Sequence, residues 1–171
     1  MMNTPPILVL MGVSGTGKST VGAMLAGRLG WPFQEGDDLH PAANVAKMAA
    51  GHALSDDDRW PWLRIVAEWI DARRAAGEPG LVSCSALTRA YRDVLRRDNV
   101  TFVHFTGERE VVLARMMRRQ GHFMPPALLD SQFATLEPPD SDEQYLDVDL
   151  SLSPAQQAAF VASSLRLIGD A

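Results

Sequence analysis

Ile7-Leu8-Val9-Leu10-Met11-Gly12-Val13-Ser14-Gly15-Thr16-Gly17-Lys18-Ser19-Thr20 is the stretch on which the fold turns. Its first five residues are apolar without alternation, the pattern of a strand buried on both faces in the middle of a parallel sheet. Residues Gly12–Ser19 then satisfy G-x-x-x-x-G-K-[ST] at every fixed position. The glycines permit a tight turn that wraps backbone N–H groups around phosphate oxygens. The helix that follows adds a favourable partial charge at its N-terminus. In such a loop the Lys18 ammonium reaches the β- and γ-phosphates and the Ser19 hydroxyl is a Mg²⁺ ligand. ATP and Mg²⁺ are the cofactors this implies, with Gly12–Thr20 as the nucleotide-binding residues. A chance glycine turn would lack the apolar strand before it and the amphipathic helix after it.

Outward from this loop, strands and helices alternate. Lys18–Leu29 carries Val21, Met24, Leu25 and Leu29 on one side, with Gly30 as a stop. Trp31–Gln34 reads as a second strand. His40–Ala76 reads as helix in two pieces, with Asp56–Asp58 ahead of Arg59, Trp60 and Pro61. Leu81–Ser83 and Thr101–Phe105 read as strands, Arg89–Arg97, Glu108–Arg119 and Ala127–Leu136 as helices. Leu146–Leu150 reads as a last strand and Pro154 opens a last helix. The alternation predicts one parallel three-layer α/β domain.

The chain has 171 residues, 46% hydrophobic, with a net charge of −5 and a single cysteine, Cys84. Net negative charge argues against a general nucleic-acid binder. One cysteine allows no internal disulfide and suits a reducing compartment, so the cytoplasm is the expected location. The apolar run at Ile7–Met11 is too short for a membrane span. A regulatory GTPase would need D-x-x-G and N-K-x-D elements, and neither occurs. The third strand ends in Ser83-Cys84-Ser85, without the acid of a motor or transporter ATPase. A small-molecule kinase remains.

Acceptor residues are expected at the carboxyl ends of the strands, where open parallel sheets bind ligands. Asp37 or Asp38, after the second strand, can take or orient an acceptor hydroxyl proton, and Asp37 is nearer the strand end. A helix cap or turn acid is the bland alternative. Arg59 is either an anion clamp or a surface ion pair. His40, Lys47, Ser85, Arg89 and Arg92 are further acceptor-side candidates, each of which a plain helix face or strand end would also explain. Cys84 reads as an inert core thiol. Arg115 and Arg119 share a helix face before the flap Gln120–Pro126, and arginines there can stabilise charge on a transferring phosphoryl group. His122 in the flap either touches substrate or fills space. Ser153–Gln156 is a candidate adenine loop.

The blocks MGVSGTGKST at Met11–Thr20, GDDLHPAANVAKMAAGHALSDDDRWPWL at Gly36–Leu63, SCSALTRAYRDVLR at Ser83–Arg96 and GHFMPPALLDSQFATLEP at Gly121–Pro138 together resemble the gluconate kinases of the shikimate-kinase-like group. The resemblance implies a P-loop kinase core with strand order 2-3-1-4-5, formed by 1–36, 80–119 and 140–171. It also implies a substrate-binding segment over 37–79 and a lid near 120–137. It implies ATP-dependent phosphorylation of D-gluconate at the 6-hydroxyl, with a homodimer as the common assembly. Lys18, Asp37, Arg115 and Arg119 are then the catalytic residues, Ser19 the metal ligand, and Asp37, His40, Arg59, Ser85, Arg92 and His122 the substrate contacts. By chemistry alone the acceptor pocket suits shikimate equally, and a non-catalytic ATP-binding module is a third possibility that intact Lys18, Ser19 and Asp37 speak against.

Overall fold

The structure, a computed structural model, describes residues 4–118 and 126–167, with the side chains of 116, 118 and 126–128 outside that description. Five strands form one parallel sheet in the order β2-β3-β1-β4-β5. They are β1 (Ile7–Met11), β2 (Phe33–Glu35), β3 (Gly80–Ser83), β4 (Val100–Thr106) and β5 (Tyr145–Asp149). β1 is central, with Ile7–Leu10 registered against Gly80–Ser83 of β3 and Ile7–Met11 against Val100–His104 of β4. All five β1 side chains are fully buried. Burying each stabilises the fold by roughly 1.5–3 kcal/mol, which explains why β1 carries no polar face.

Helices cover both faces. On one side Leu8 and Leu10 pack with Val21 and Leu25 of α1 (Lys18–Leu29) and Val161 of α7 (Pro154–Ser164). On the other, Ile7, Val9 and Met11 pack with Leu63, Val66 and Ile70 of α3 (Asp56–Ala76) and Leu95 of α4 (Arg89–Leu95). Among the described residues the remaining helices are α2 (Ala42–Ala49), α5 (Arg109–Arg118) and α6 (Pro126–Thr135), and a 3₁₀ turn occupies Gly36–Leu39. The alternation of odd and even β1 residues between two apolar layers is what makes the three-layer sandwich.

Helix α3 begins earlier than its apolar spacing suggests. Ser55 caps it, accepting from the Asp58 amide while the Asp58 carboxylate accepts from the Ser55 amide. Asp56, Asp57 and Asp58 therefore form its first turn, where negative charge is favoured by the helix dipole. Pro61 lies inside the helix. No helix among the described residues is long and apolar enough to cross a membrane.

Arg92 corrects one expectation. Its side chain is fully buried rather than turned to a ligand. Nε donates to Glu143 Oε1 at 2.7 Å, and Nη1 donates to the Ala86 and Leu87 carbonyls at 2.9 and 3.3 Å. Arg92 thus fastens the loop after β3 to the segment before β5. Ala86 there has φ 45°, a left-handed conformation that a non-glycine residue keeps only when held. Burial pushes the Glu143 carboxyl up, but the bonds from Arg92 and the Asp140 amide outweigh it and leave its pKa below the ordinary value. The stability from this depressed pKa is present above the ordinary carboxylate range and is lost as pH falls through the folded value. Glu143→Ala, which leaves a buried guanidinium unpaired, is expected to cost about 3–5 kcal/mol in a urea titration.

Candidate active site

The loop after β1 takes its shape from glycine. Gly12, Gly15 and Gly17 have φ of 141°, 82° and 87°, a region closed to most side chains. The Val13 side chain is buried, and the buried Thr16 hydroxyl donates to Val13 O at 3.0 Å. These two residues therefore offer only main chain to a ligand. Lys18 Nζ donates to the Gly12 and Val13 carbonyls at 2.8 and 3.0 Å, so the ammonium lies on the loop itself. The Gly12 amide donates to Ser85 O at 3.2 Å, tying the loop to the end of β3.

This loop is the wall between two chambers. One, of about 300 Å³, is lined by Gly15, Gly17, Thr20, Val21, Arg115, Pro154 and Gln157. The other, of about 570 Å³, is lined by Ser14, Lys18 and Ser19 on the loop side. Its far walls come from the ends of β2 and β3, from α3 and α4, and from α6.

In the larger chamber Glu35, Asp37, His40, Arg59, Ser83, Ser85 and Tyr91 converge. The β2 end is brought there by Gly36, whose amide donates to Ser83 Oγ at 3.1 Å. A Cβ on Gly36 would lie 1.8 Å from the Ser83 carbonyl oxygen, so only glycine lets the two strand ends approach. Asp37, one residue on, lines the chamber and Asp38 does not. Ser83 Oγ in turn donates to Glu35 Oε2 at 2.8 Å.

Arg59 is neither a loose surface charge nor a simple ion pair. Its Nη1 donates to the Tyr91 hydroxyl at 3.2 Å and lies 3.8 Å from Asp56 Oδ1, while the Tyr91 hydroxyl donates to Asp56. The guanidinium also sits over the Tyr91 ring, 5.8 Å from its centre. Tyr91 therefore holds Arg59 at the chamber wall from α4. His40 stacks on Trp62 at 4.2 Å, and Trp62 Nε1 donates to Gly36 O at 2.8 Å. Burial lowers the His40 pKa, Asp37 raises it and Arg59 lowers it, with a net downward shift that keeps the ring neutral near pH 7. Lys47 pairs with Asp58 and Arg89 with Asp142, and neither lines the chamber. Burial pushes the Cys84 thiol up to about 12, which leaves it protonated and unreactive.

Arg115 lies against the phosphate loop, its Nη1 3.9 Å from where a Cβ on Gly17 would sit. Its Nη2 donates to the Leu150 and Leu152 carbonyls at 2.6 and 2.8 Å, in the loop after β5. It lines the smaller chamber with Pro154, whereas Asp37 and Arg59 line the larger one. Arg119 and His122 fall outside the described residues. Glu35, Tyr91 and Gln132 are chamber residues that the sequence reading passed over. Glu35 carried the same signal as Asp37, an acid at a strand end. Tyr91 and Gln132 carried none, since each reaches its place through contacts distant in sequence.

Among the described residues no group of three or more His, Cys, Asp or Glu stands ready for a metal ion. Ser19, Glu35 and Asp37 nevertheless give the chamber hard oxygen donors beside the loop. That set fits Mg²⁺ carried in on phosphate oxygens, which keeps most of its own waters.

Comparison with known proteins agrees with this geometry. The family model for shikimate kinase matches residues 14–148. Gluconokinase of Gluconobacter oxydans is 52% identical over 146 residues, covering 84% of this chain and 82% of the relative. The thermoresistant gluconokinase of Escherichia coli is 41% identical over 167 residues, 95% of this chain and 93% of the relative. The crystal structure of a gluconokinase from Sinorhizobium meliloti superposes with TM-score 0.82 at 44% identity, covering 96% of this chain and 98% of that one. With the phosphate loop, the sheet order and the two chambers in place, these likenesses settle the lineage: the chain belongs to the gluconokinase family, within the shikimate-kinase-like P-loop kinases.

Proposed function

We propose that this chain transfers the γ-phosphoryl group of Mg·ATP to the 6-hydroxyl of D-gluconate, giving 6-phospho-D-gluconate and ADP. The observation that carries the reading is the phosphate loop standing between two chambers of different chemistry. The smaller chamber, with Arg115 and Pro154 facing it, takes the nucleoside, and Gly12–Thr20 takes the phosphates. The larger one offers a fixed guanidinium, two carboxylates and several hydroxyls, the complement of a polyhydroxy acid.

The residue roles follow. Lys18 neutralises charge on the phosphoryl oxygens, and loop amides hold them in line with the acceptor. Ser19 is the protein's ligand to Mg²⁺, with Glu35 and Asp37 placed to accept from the ion's waters; the ion itself would draw charge from the transferring group. Asp37 orients the 6-hydroxyl and receives its proton. Arg59, held by Tyr91 and Asp56, binds the carboxylate, and His40 and Ser85 bind hydroxyls along the chain. Segment 37–79 supplies most of these acceptor contacts, and the core 1–36, 80–119 and 140–171 supplies the nucleotide site, with 120–137 as its lid. A homodimer belongs to the same proposal.

Two measurements test it. An ADP-coupled assay across gluconate, shikimate, other sugar acids and nucleoside monophosphates is expected to show turnover with gluconate far above the rest. Preference for shikimate would move the acceptor assignment. In steady-state kinetics, Arg59→Ala is expected to raise KM for gluconate tenfold or more with little change in KM for ATP. Asp37→Asn is expected to lower kcat by about 10²-fold, the usual worth of a positioned acid or base. Equal effects of Arg59→Ala on both substrates would take Arg59 off the acceptor.

A further inference from the structure

Gln132 on α6 makes a two-point contact with the phosphate loop that the reaction as described does not use. Its Oε1 accepts from the Ser14 amide at 2.7 Å, and its Nε2 donates to Ser14 Oγ at 3.0 Å. The partners are 118 residues apart in sequence, and the contact is part-buried. Ser14 and Gln132 both line the larger chamber, whereas Gly15, Gly17 and Thr20 line the smaller one. Ser14 is therefore at the acceptor end of the loop, where the terminal phosphate of a triphosphate must lie if it is to meet an acceptor hydroxyl.

The Ser14 amide is one donor with one hydrogen. A phosphate oxygen and Gln132 Oε1 compete for it. The bond to a charged phosphate oxygen is about twice as strong as one to a neutral amide oxygen, so the phosphate wins. A displaced Gln132 carboxamide has a simple way to stay satisfied. Swinging off the amide and turning over lets Nε2 donate to the oxygen that now holds the Ser14 amide, and leaves Oε1 to accept from the Ser14 hydroxyl. In each arrangement the carboxamide oxygen accepts one hydrogen bond and its nitrogen donates one.

We propose that Gln132 is a terminal-phosphate sensor: its carboxamide holds Ser14 N–H and Oγ, and turns over to donate Nε2–H to the transferring phosphoryl group when that group takes the Ser14 amide. ADP, which lacks the terminal phosphate, leaves the Gln132–Ser14 pair as it stands. The inference rests on the kinase reading, and it deepens the reading by adding a donor at the point of transfer.

The test is binding of ADP and of β,γ-imido-ATP to the full chain with excess Mg²⁺, measured by calorimetry without acceptor. Gln132→Glu keeps the shape and the acceptor oxygen, removes the donor in either orientation and adds a charge facing phosphate. It is expected to weaken β,γ-imido-ATP at least tenfold and to leave ADP within threefold. Gln132→Ala frees the Ser14 amide and loses the donor, so kcat is expected to fall tenfold or more with KM for ATP within threefold of the parent. Thermal melting of both variants establishes that they fold; if Gln132→Glu does not, the kcat-against-KM split of Gln132→Ala decides alone. Equal weakening of both nucleotides by Gln132→Glu, no weakening at all, or an unchanged kcat in Gln132→Ala would reduce the contact to packing and overturn the proposal. The binding arm needs no acceptor, so it stands or falls separately from the identity of the phosphorylated substrate, which wild-type turnover on gluconate decides.

Discussion

β1 is paired on both edges and buried on both faces, and that constraint places everything else. A strand with no free edge and no solvent face can release its chain only at its end. There the glycine loop must turn between β3 on one side and β4 on the other. The first amide of the loop is bonded to Ser85 beyond β3, and a Cβ on Gly12 would meet the Phe105 carbonyl of β4 at 2.9 Å. The loop is thus clamped from both neighbours, and it becomes a partition with one chamber on each side. On the proposed reading, a phosphate chain laid along such a partition would have its nucleoside in one chamber and its reactive end in the other.

The acceptor side is held by a different logic. Three of its polar side chains are fixed by a neighbour from another element. Glu35 is bonded to Ser83 of β3, Arg59 of α3 is bonded to Tyr91 of α4, and His40 is stacked on Trp62. The buried Arg92–Glu143 pair steadies the loop that carries Ser85. Fixing these side chains before a substrate arrives lowers the ordering cost of binding, which is how a site of a few polar groups becomes selective. Two carboxylates and one guanidinium at the wall also favour an acceptor bearing both an acid and hydroxyls over a neutral sugar.

The core of the fold was legible because its signals are local. Ile7–Met11 announces a buried strand, Gly12–Ser19 a phosphate loop, and Gly30 and Gly77 adopt the left-handed conformation that ends α1 and α3. Asp37 was legible for the same reason, as an acid at a strand end. The harder readings concern arginines. Arg92 and Arg115 look alike in sequence, cations on amphipathic helices, yet one is entombed with Glu143 and the other is bound to carbonyls beside the smaller chamber. What separates them is which face of the helix meets which neighbouring loop, and no spacing rule states that. Tyr91 and Gln132 were illegible on the same ground, since the partner of each lies 32 and 118 residues away.

The partition is tested most directly by a crystal structure of the chain with β,γ-imido-ATP, Mg²⁺ and gluconate bound together. The account predicts the purine beside Arg115 and Pro154, the terminal phosphate against Ser14, Lys18 and Ser19, and the gluconate carboxylate on Arg59 with its 6-hydroxyl beside Asp37. A purine seated in the larger chamber, or gluconate bound away from Arg59 and Asp37, would contradict it.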